Sequence, residues 1–327
     1  MAVVYVTTPG SSVRRKGERL EVWQRESKVA DIKVFELERL VLMGPVQLTS
    51  PATTLLLSKG IDVVYMTLKG RMLGTLVSDR SLNVFLRLAQ FDRWKDQEFR
   101  LALAKEVVRS KLTAQRRLIL RHAKNHPEEL DPETTQQLDR MISSVDQATD
   151  LDELRGYEGA GAATYFRQFG QMLKTLPFPG RKKHPSMDPA NALLSLGYVM
   201  LTNELAGMLE ANGLDPFIGF FHGVRYGRKS LPLDIVEMFR QPVIDRLTLR
   251  LLNHRQFTAD DFEGGKGGLR LQPEPLKRYL KIYEDHLRNA AEGSEGPSWR
   301  DRIKRQVTEL KAIVLEGEVK KLYTWEG

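Results

Sequence analysis

The chain has 327 residues, a length that exceeds what one compact core usually serves and therefore predicts two domains. Lys and Arg number 50 against 42 Asp and Glu, and the formal net charge of +8 favours an anionic partner without identifying it. The absence of cysteine excludes disulfides, thiolate zinc sites and cysteine nucleophiles, and it fits a reducing cytosol.

The start of the chain lacks the pattern of a secretion signal, because its short apolar run ends at the turn residues Pro9 and Gly10. No stretch stays apolar over the about 20 residues that a membrane helix requires. We therefore expect a soluble cytoplasmic protein with no membrane partner.

Residues 1–78 favour β structure with one short helix. Short β-branched runs are separated by turn signals, a pattern typical of strands. The predicted strands cover residues 3–7, 20–24, 33–40, 46–48, 61–66 and 71–77. A helix is predicted for residues 49–59, because Ser50 and Pro51 suit a helix start and Gly60 follows the last turn.

From about residue 82 the spacing of apolar residues changes from two to nearly four, which predicts long amphipathic helices. Pro242 should distort the helix that contains it. The glycine-rich residues 264–268 predict a flexible hairpin or loop. The sequence thus predicts an α+β protein, with a small N-terminal β domain at 1–78 and a larger all-helical C-terminal domain at 79–327.

Glu158 lies in a predicted helix that its own sequence weakens. Thr149 and Asp152 resemble a capping box at the start of this helix. Three glycines then cost roughly 1 kcal/mol each relative to alanine, at positions 156, 159 and 161. Small residues at 156, 160 and 163 would share one face, where a neighbouring helix or a ligand can approach the backbone. Such a local inconsistency is typical of a functional site.

Asp234, Glu237 and His222 form a second candidate group. The two acidic residues are three apart in a predicted helix, which places both carboxylates on one face within reach of a shared ion. Their neighbours are mostly apolar, so the carboxylates should border the core and need a cation there. His222 precedes a loop, residues 223–230, whose three cations and two glycines suit a phosphate backbone. With Glu158, these side chains predict a Mg²⁺ or Mn²⁺ site that faces phosphates.

Each of these residues also has an ordinary structural interpretation. A D-x-x-E pair on a helix is most often a solvated acidic face. His222 alone is more often a packed histidine than a ligand, and a single helical glutamate such as Glu158 is usually exposed. The residues by themselves leave both interpretations open.

Four motifs follow one another along the chain. They are RGYEGxGA from Arg155, DPxNALL from Asp188, GFFH ending at His222, and GRxSLxLDxxExFR from Gly227. In this order they resemble the CRISPR-associated adaptation endonuclease and integrase family, that of the universal first Cas protein, Cas-one. The resemblance covers essentially the whole chain. One departure is Arg240-Gln241-Pro242, where the family usually has proline directly after arginine.

The resemblance implies a site and its chemistry. Glu158, His222 and Glu237 would be the metal ligands for Mg²⁺ or Mn²⁺, and Asp234 would be an additional acidic catalytic residue beside them. The implied activity is that of a metal-dependent DNA integrase and endonuclease. The 3′-hydroxyl ends of a protospacer duplex would attack phosphodiesters of the CRISPR repeat and join the array by transesterification.

The resemblance also implies partners. The active form would be a homodimer that associates through the β domains, and two such dimers would flank a dimer of the small partner Cas-two. The nucleic-acid partner would be double-stranded DNA, both protospacer and repeat, in the cytoplasm of a prokaryote. Residues 1–78 would then be the dimerisation domain and residues 79–327 the catalytic domain.

Several basic residues and one tyrosine are candidate DNA contacts. They are Arg225, Arg228, Lys229, Arg181, Lys182, Lys183, Arg87, Lys111, Arg116 and Tyr165. Lys and Arg side chains on amphipathic helices mostly point into solvent and bind nothing. The contact with DNA is therefore a separate hypothesis for each of these residues. Tyr165 would either contact a terminal nucleotide or pack in the core.

Two other functions stay open on the sequence alone. A repair nuclease acting on branched DNA would use the same metal site, with water in place of the 3′-hydroxyl. A non-catalytic DNA-binding scaffold would keep the acidic residues for structural reasons only.

Overall fold

The computed structural model describes residues 2–68, 70–77, 83–182, 185–265, 268–290, 296–325 and 327. Two compact units are formed, one from the described residues of Met1–Arg80 with Lys277–Glu284, the other from those of Ser81–Leu276 with Asp285–Gly327. The predicted domain boundary, between residues 78 and 79, lies outside the described residues.

The first unit is mainly β structure. Its elements are β1 (Ala2–Val6), β2 (Ser11–Lys16), β3 (Arg19–Gln24), β4 (Ser27–Lys33), β5 (Leu37–Met43), β6 (Gln47–Leu48), α1 (Ser50–Ser58), β7 (Asp62–Met66) and β8 (Met72–Leu76). One sheet has the order β1-β5-β7-β8 and the other the order β4-β3-β2-β6. Apolar side chains from both sheets and from α1 form one buried core that includes Val13, Leu20, Leu40, Leu56 and Val63.

Two strands of this unit were not predicted. β2 and β4 are rich in charged and exposed residues, so they lack the alternation of apolar side chains that marks a strand. Backbone pairing with β3, which lies between them, determines their conformation instead. The predicted strand at 33–40 also begins too early, because a 3₁₀ turn occupies Val34–Glu36 and β5 starts at Leu37.

The second unit is mainly helical. Its elements are α2 (Val84–Lys95), α3 (Gln97–Ala123), α4 (Pro132–Ser144), α5 (Leu151–Met172), α6 (Pro189–Ala211), α7 (Ser230–Val236), α8 (Arg246–Asn253), β9 (Phe262–Gly265), β10 (Gly268–Leu271), α9 (Pro273–Arg288, whose residues 277–284 belong to the first unit) and α10 (Trp299–Glu316). The predicted order of a β region followed by a larger helical region is confirmed. It needs one addition, because β9 and β10 pair as an antiparallel hairpin whose residues 266 and 267 lie outside the described part.

Helices α3, α4 and α5 pack against one another. Asp96 caps the long α3 by accepting from the backbone N–H of Phe99 at 3.0 Å. Leu112 and Ile119 of α3 and Phe169 of α5 are buried in this group. This packing brings the middle of α3 alongside the first half of α5.

Helix α6 corrects one expectation. Its 23 residues are long and apolar enough, by length and composition, to cross a membrane, whereas no such segment was expected. Of the most apolar window in this helix, 67% is buried inside the protein, as in the core helix of a soluble protein.

Pro242 lies in a π-helical turn, Arg240–Asp245, between α7 and α8. Proline has no N–H to donate and its ring crowds the preceding turn, so the regular α-helical pattern cannot continue through it. The predicted distortion therefore takes the form of this wide turn, directly after Glu237.

Candidate metal centre

Helix α5 places Glu158 opposite α3. The N-cap is Asp150, whose carboxylate accepts from the backbone N–H groups of Asp152 and Glu153 at 2.9 and 2.8 Å. Glu153 accepts in return from the N–H of Thr149 at 2.9 Å. The predicted capping box of Thr149 and Asp152 was therefore wrong by one residue, although the helix start is correct.

The glycines of α5 do not all serve the same purpose. A Cβ added to Gly161 would lie 2.2 Å from Cδ2 of Leu112, so a larger residue there would have to displace the buried Leu112 side chain of α3. Gly156 and Gly159 have nothing within 4 Å of such a Cβ. The predicted small-residue face at 156, 160 and 163 is exposed, and it is Gly161 that the helix packing uses.

Lys111 of α3 lies between two of the predicted metal ligands. Its ammonium group forms an ion pair with Oε1 of Glu158 and lies 2.7 Å from Oε2 of Glu237. Burial lowers the pKa of Lys111, but the two carboxylates outweigh it and raise this pKa above its ordinary value. The side chain is only 6% exposed, so Lys111 does not lie on an open helix surface, and its contact with DNA stays a prediction.

Glu237 is buried, and each of its oxygens has a cationic neighbour. Nη1 of Arg240 lies 3.0 Å from Oε1, opposite the contact of Lys111 with Oε2. Burial alone would raise the pKa of Glu237, but the charges of Arg240 and Lys111 lower it to about 2. The Arg240 guanidinium also lies 4.7 Å from the ring centre of Tyr198, which fixes its position.

His222 is oriented by Asp234. Its Nδ1 donates to Oδ1 of Asp234 at 2.8 Å, and among the described residues Nε2 has no hydrogen-bond partner. The same carboxylate accepts from the backbone N–H groups of Phe220, Phe221 and His222 at 2.6, 3.0 and 2.7 Å. Asp234 thus holds the loop and orients the imidazole. Its predicted catalytic role beside the metal stays a prediction.

The loop that carries His222 is fixed on both sides. Arg155, three residues before Glu158, donates to the carbonyl of Phe221 at 3.1 Å and so ties α5 to the loop. Gly219 lies so close to Ser230 that an added Cβ would be 2.7 Å from the Ser230 Cβ. The hydroxyl of Ser230 donates to the Gly223 carbonyl at 3.1 Å. Three of the four motifs, those with Arg155, Gly219 and Ser230, therefore support the geometry of the site.

A cleft of about 790 Å³ opens above these residues. Its lining includes the three predicted metal ligands and five cations: Glu158, His222, Glu237, Lys111, Arg167, Arg181, Arg228 and Arg240. Asn191 of the DPxNALL motif accepts from Nη1 of Arg181 at 2.7 Å and holds it at the cleft. An anion that entered here would meet positive charge on several sides.

The donor set suits a hard or borderline divalent ion, because it consists of two carboxylates and an imidazole with a free Nε2. Oε2 of Glu237 is buried and has no hydrogen-bond partner among the described residues, although the ammonium of Lys111 lies 2.7 Å from it. The candidate ligand atoms of Glu158, His222 and Glu237 are not all within 4.8 Å of one another. Within the described part of the chain, the one group of three such atoms all within 4.8 Å of each other belongs to His126, Glu128 and Glu129.

The predicted DNA contacts differ in their surroundings. Arg225, Lys182 and Arg87 are exposed. Lys229 pairs with Glu210 at 2.6 Å and Arg116 with Asp139 at 2.6 Å. Arg228 is half-buried and bonds the Gly223 carbonyl. Lys183 lies outside the described residues.

Tyr165 is fully buried, and its hydroxyl donates to Oδ2 of Asp245 at 2.8 Å. Of the two predicted roles, the structure has the packed one. Tyr198 donates to the other oxygen of Asp245 at 2.5 Å. Neither Asp245 nor Tyr198 was a predicted site residue, because no motif spacing links them, yet this network supports the turn beside Arg240.

Comparisons with known proteins identify the family of the chain. The sequence model of the family described as CRISPR associated protein Cas1 matches residues 4–285. A CRISPR-associated endonuclease Cas1 of Thermus thermophilus is 32% identical over 290 residues, which are 88% of this chain and 85% of the relative.

Solved structures agree as well. A CAS1 protein from Thermotoga maritima has 26% identity and a TM-score of 0.84, with 100% of both chains covered. A chain of a Cas6-RT-Cas1–Cas2 complex has 25% identity and a TM-score of 0.83, and the match covers 99% of this chain but 36% of that one.

Proposed function

The chain belongs to the CRISPR-associated Cas1 family, and from this premise we propose that it is a divalent-metal-dependent DNA integrase and endonuclease. The proposed reaction inserts protospacer DNA into a CRISPR array. A 3′-hydroxyl oxygen of the protospacer attacks a phosphorus atom of the repeat. One phosphodiester forms, one breaks, and the repeat strand leaves with a free 3′-hydroxyl.

One observation carries this proposal. Two carboxylates from different parts of the chain, Glu158 and Glu237, converge on a single cation in a cleft whose lining includes several arginines. A position for a cation between carboxylates, open to a cleft that attracts anions, suits the transfer of phosphodiesters. A solvated acidic face would not be buried in this way.

Each residue of the cleft then has a task. Glu158, Glu237 and Nε2 of His222 would hold Mg²⁺ or Mn²⁺, which when bound would polarise the phosphodiester and stabilise charge on the attacking and leaving oxygens. Asp234 keeps the imidazole of His222 in the orientation that directs Nε2 to the ion.

The cations of the cleft position the DNA. Arg181 and Arg228 would bind phosphates on either side of the reacting one, since both line the cleft. Their placement restricts the approach of the 3′-hydroxyl, and such alignment supplies much of the rate enhancement in a transfer between two strands.

We propose the same partners that the family motifs imply. These are double-stranded DNA, a second copy of the chain joined through the β region of residues 1–78, and Cas2. A chain with 25% identity to this one occurs in a complex named for both Cas1 and Cas2, which supports Cas2 as the partner. The expected location is the prokaryotic cytoplasm.

A strand-transfer assay tests the proposal. Labelled protospacer duplex and a repeat-bearing plasmid are incubated with the protein and Cas2, in Mn²⁺ or in EDTA. We expect joined product in Mn²⁺ only, and a loss of roughly 10²-fold or more in His222→Ala and Glu237→Gln. Glu309→Gln, which changes an exposed glutamate paired with Arg305 at 2.9 Å, should retain activity.

Other outcomes would favour the two remaining functions. Cutting of DNA without joining would indicate a nuclease of the branched-DNA type. Binding of DNA with neither reaction would indicate a scaffold.

A further inference from the structure

Lys111 occupies the position at which the two proposed carboxylate ligands meet. It contacts Glu158 and Glu237, and these are its only polar partners within the described part of the chain. Both partners line the same cleft as Lys111 itself. A lysine that is 6% exposed and held by two carboxylates serves as their counter-ion.

The charges around this position already balance. Glu158 and Glu237 contribute two negative charges, and Lys111 and Arg240 contribute two positive charges. A divalent ion bound among all four would leave two uncompensated positive charges in a largely buried site, which is unfavourable. Movement of one of the two resident cations would relieve this repulsion when the ion binds.

Lys111 is the cation that can move. Arg240 is held by Glu237 and by the face of Tyr198, and its guanidinium is rigid and planar. The ammonium of Lys111 ends a flexible four-carbon stem that borders the open cleft. Rotation of this stem would free the facing oxygens of Glu158 and Glu237 together.

We propose that Lys111 is an internal counter-ion that competes with the divalent ion for Glu158 and Glu237 and so lowers the affinity of the protein for metal. This inference rests on the proposed metal site. Lys111 would then act on the two carboxylates, as a positioning residue, rather than on DNA. The ammonium keeps the two carboxylates stable and correctly placed while the metal is absent.

The test measures Mn²⁺ binding by calorimetry and by the electron paramagnetic resonance signal of free Mn²⁺, without DNA. Lys111→Met keeps the length of the side chain and removes the charge. We expect this variant to bind Mn²⁺ roughly tenfold more tightly than wild type. Lys105→Met is the matched control, because Lys105 lies on the same helix and bonds the carbonyl of Asp146 at 2.9 Å instead. It should bind Mn²⁺ as wild type does.

Affinity in Lys111→Met that equals or falls below wild type would overturn the inference. Glu237→Gln separates this failure from a failure of the metal site itself. If Glu237→Gln binds Mn²⁺ as tightly as wild type, the proposed site is wrong. If it loses binding while Lys111→Met is unchanged, the site stands and only the competition is refuted.

A second measurement avoids the risk that Lys111→Met does not fold without metal. Wild-type protein is treated briefly with acetic anhydride, with and without Mn²⁺, and the modified lysines are quantified by mass spectrometry. We expect acetylation of Lys111, relative to Lys105, to increase with Mn²⁺ because the ammonium leaves its carboxylates for the cleft. An unchanged ratio would contradict displacement.

Discussion

The carboxylate of Asp234 accepts from Nδ1 of His222 at 2.8 Å and simultaneously from three consecutive backbone N–H groups of the same loop. One buried side chain therefore sets both the path of the loop and the orientation of the imidazole. A neutral imidazole that donates from Nδ1 has its lone pair on Nε2, the atom that a metal would bind. The D-x-x-E motif thus joins a positioning residue to a proposed ligand, Glu237.

Asp234→Asn should weaken Mn²⁺ binding by about 10- to 100-fold. An asparagine has one acceptor oxygen and one NH₂ group. Its NH₂ group would therefore face an N–H group of the loop or of the imidazole, and two donors cannot form a hydrogen bond. The affinity is measured by calorimetry. Asp139→Asn, an exposed residue of α4, is the control and should bind normally. Normal binding by Asp234→Asn would show that His222 needs no such support.

Gly161→Ala should lower the free energy of unfolding by about 1 kcal/mol or more, because its methyl group would overlap Leu112 in the packed interface. Gly156→Ala should instead raise it by about 0.5–1 kcal/mol, because the position is open and alanine favours the helix. Urea unfolding measures both. Equal effects of the two changes would contradict the close packing of α3 on α5.

Asp245→Asn should change how stability depends on pH. Burial raises the pKa of Asp245 to about 6 in the folded protein, although hydrogen bonds from Tyr198 and Tyr165 oppose this, and the ordinary value is 3.8. The protonated form is therefore favoured by folding, and this contribution is complete below pH 4 and lost as the pH rises through about 6.

The difference in unfolding free energy between Asp245→Asn and wild type should accordingly shift in favour of the variant by about 2 kcal/mol between pH 4 and pH 7. The asparagine keeps one hydrogen bond to each tyrosine, since a hydroxyl can accept as well as donate. Denaturant unfolding at several pH values measures the shift. A difference that does not vary with pH would refute the raised pKa.

Arg225→Ala should reduce the dependence of DNA affinity on salt by about one unit in the slope of log K against log salt. Arg225 is exposed in the loop beside the cleft. Lys229→Ala should change the slope less, because Glu210 already pairs with this ammonium at 2.6 Å. Fluorescence anisotropy with duplex DNA over a range of salt concentrations tests both. A larger change in the salt slope for Lys229→Ala than for Arg225→Ala would show that Lys229 leaves Glu210 to bind DNA.

Local patterns were sufficient to predict a β region followed by a larger helical region. Apolar spacing identified the helical region, and the turn at Pro242 follows from proline chemistry. β2 and β4 were not predicted because their side chains are largely exposed. Pairing with a neighbouring strand determines their extended conformation. Such pairing is a property of the folded chain and leaves little trace in a short sequence window.

The candidate site shows the same limit. The motifs identified Glu158, His222, Asp234 and Glu237, but they do not say which of these touch each other. Lys111 and Glu158 are 47 residues apart, and their contact depends on the register between α3 and α5. That register is a result of the packing of the two helices, of which the contact between Gly161 and Leu112 is one part, and a short sequence window does not contain it.

The most direct measurement of the central claim is anomalous X-ray diffraction from crystals of the protein grown with Mn²⁺, recorded near the manganese absorption edge. We predict a peak bound by Glu158, Glu237 and Nε2 of His222, with the Lys111 ammonium turned away from both carboxylates. A peak at His126, Glu128 and Glu129 with none between Glu158 and Glu237 would contradict the proposed metal centre.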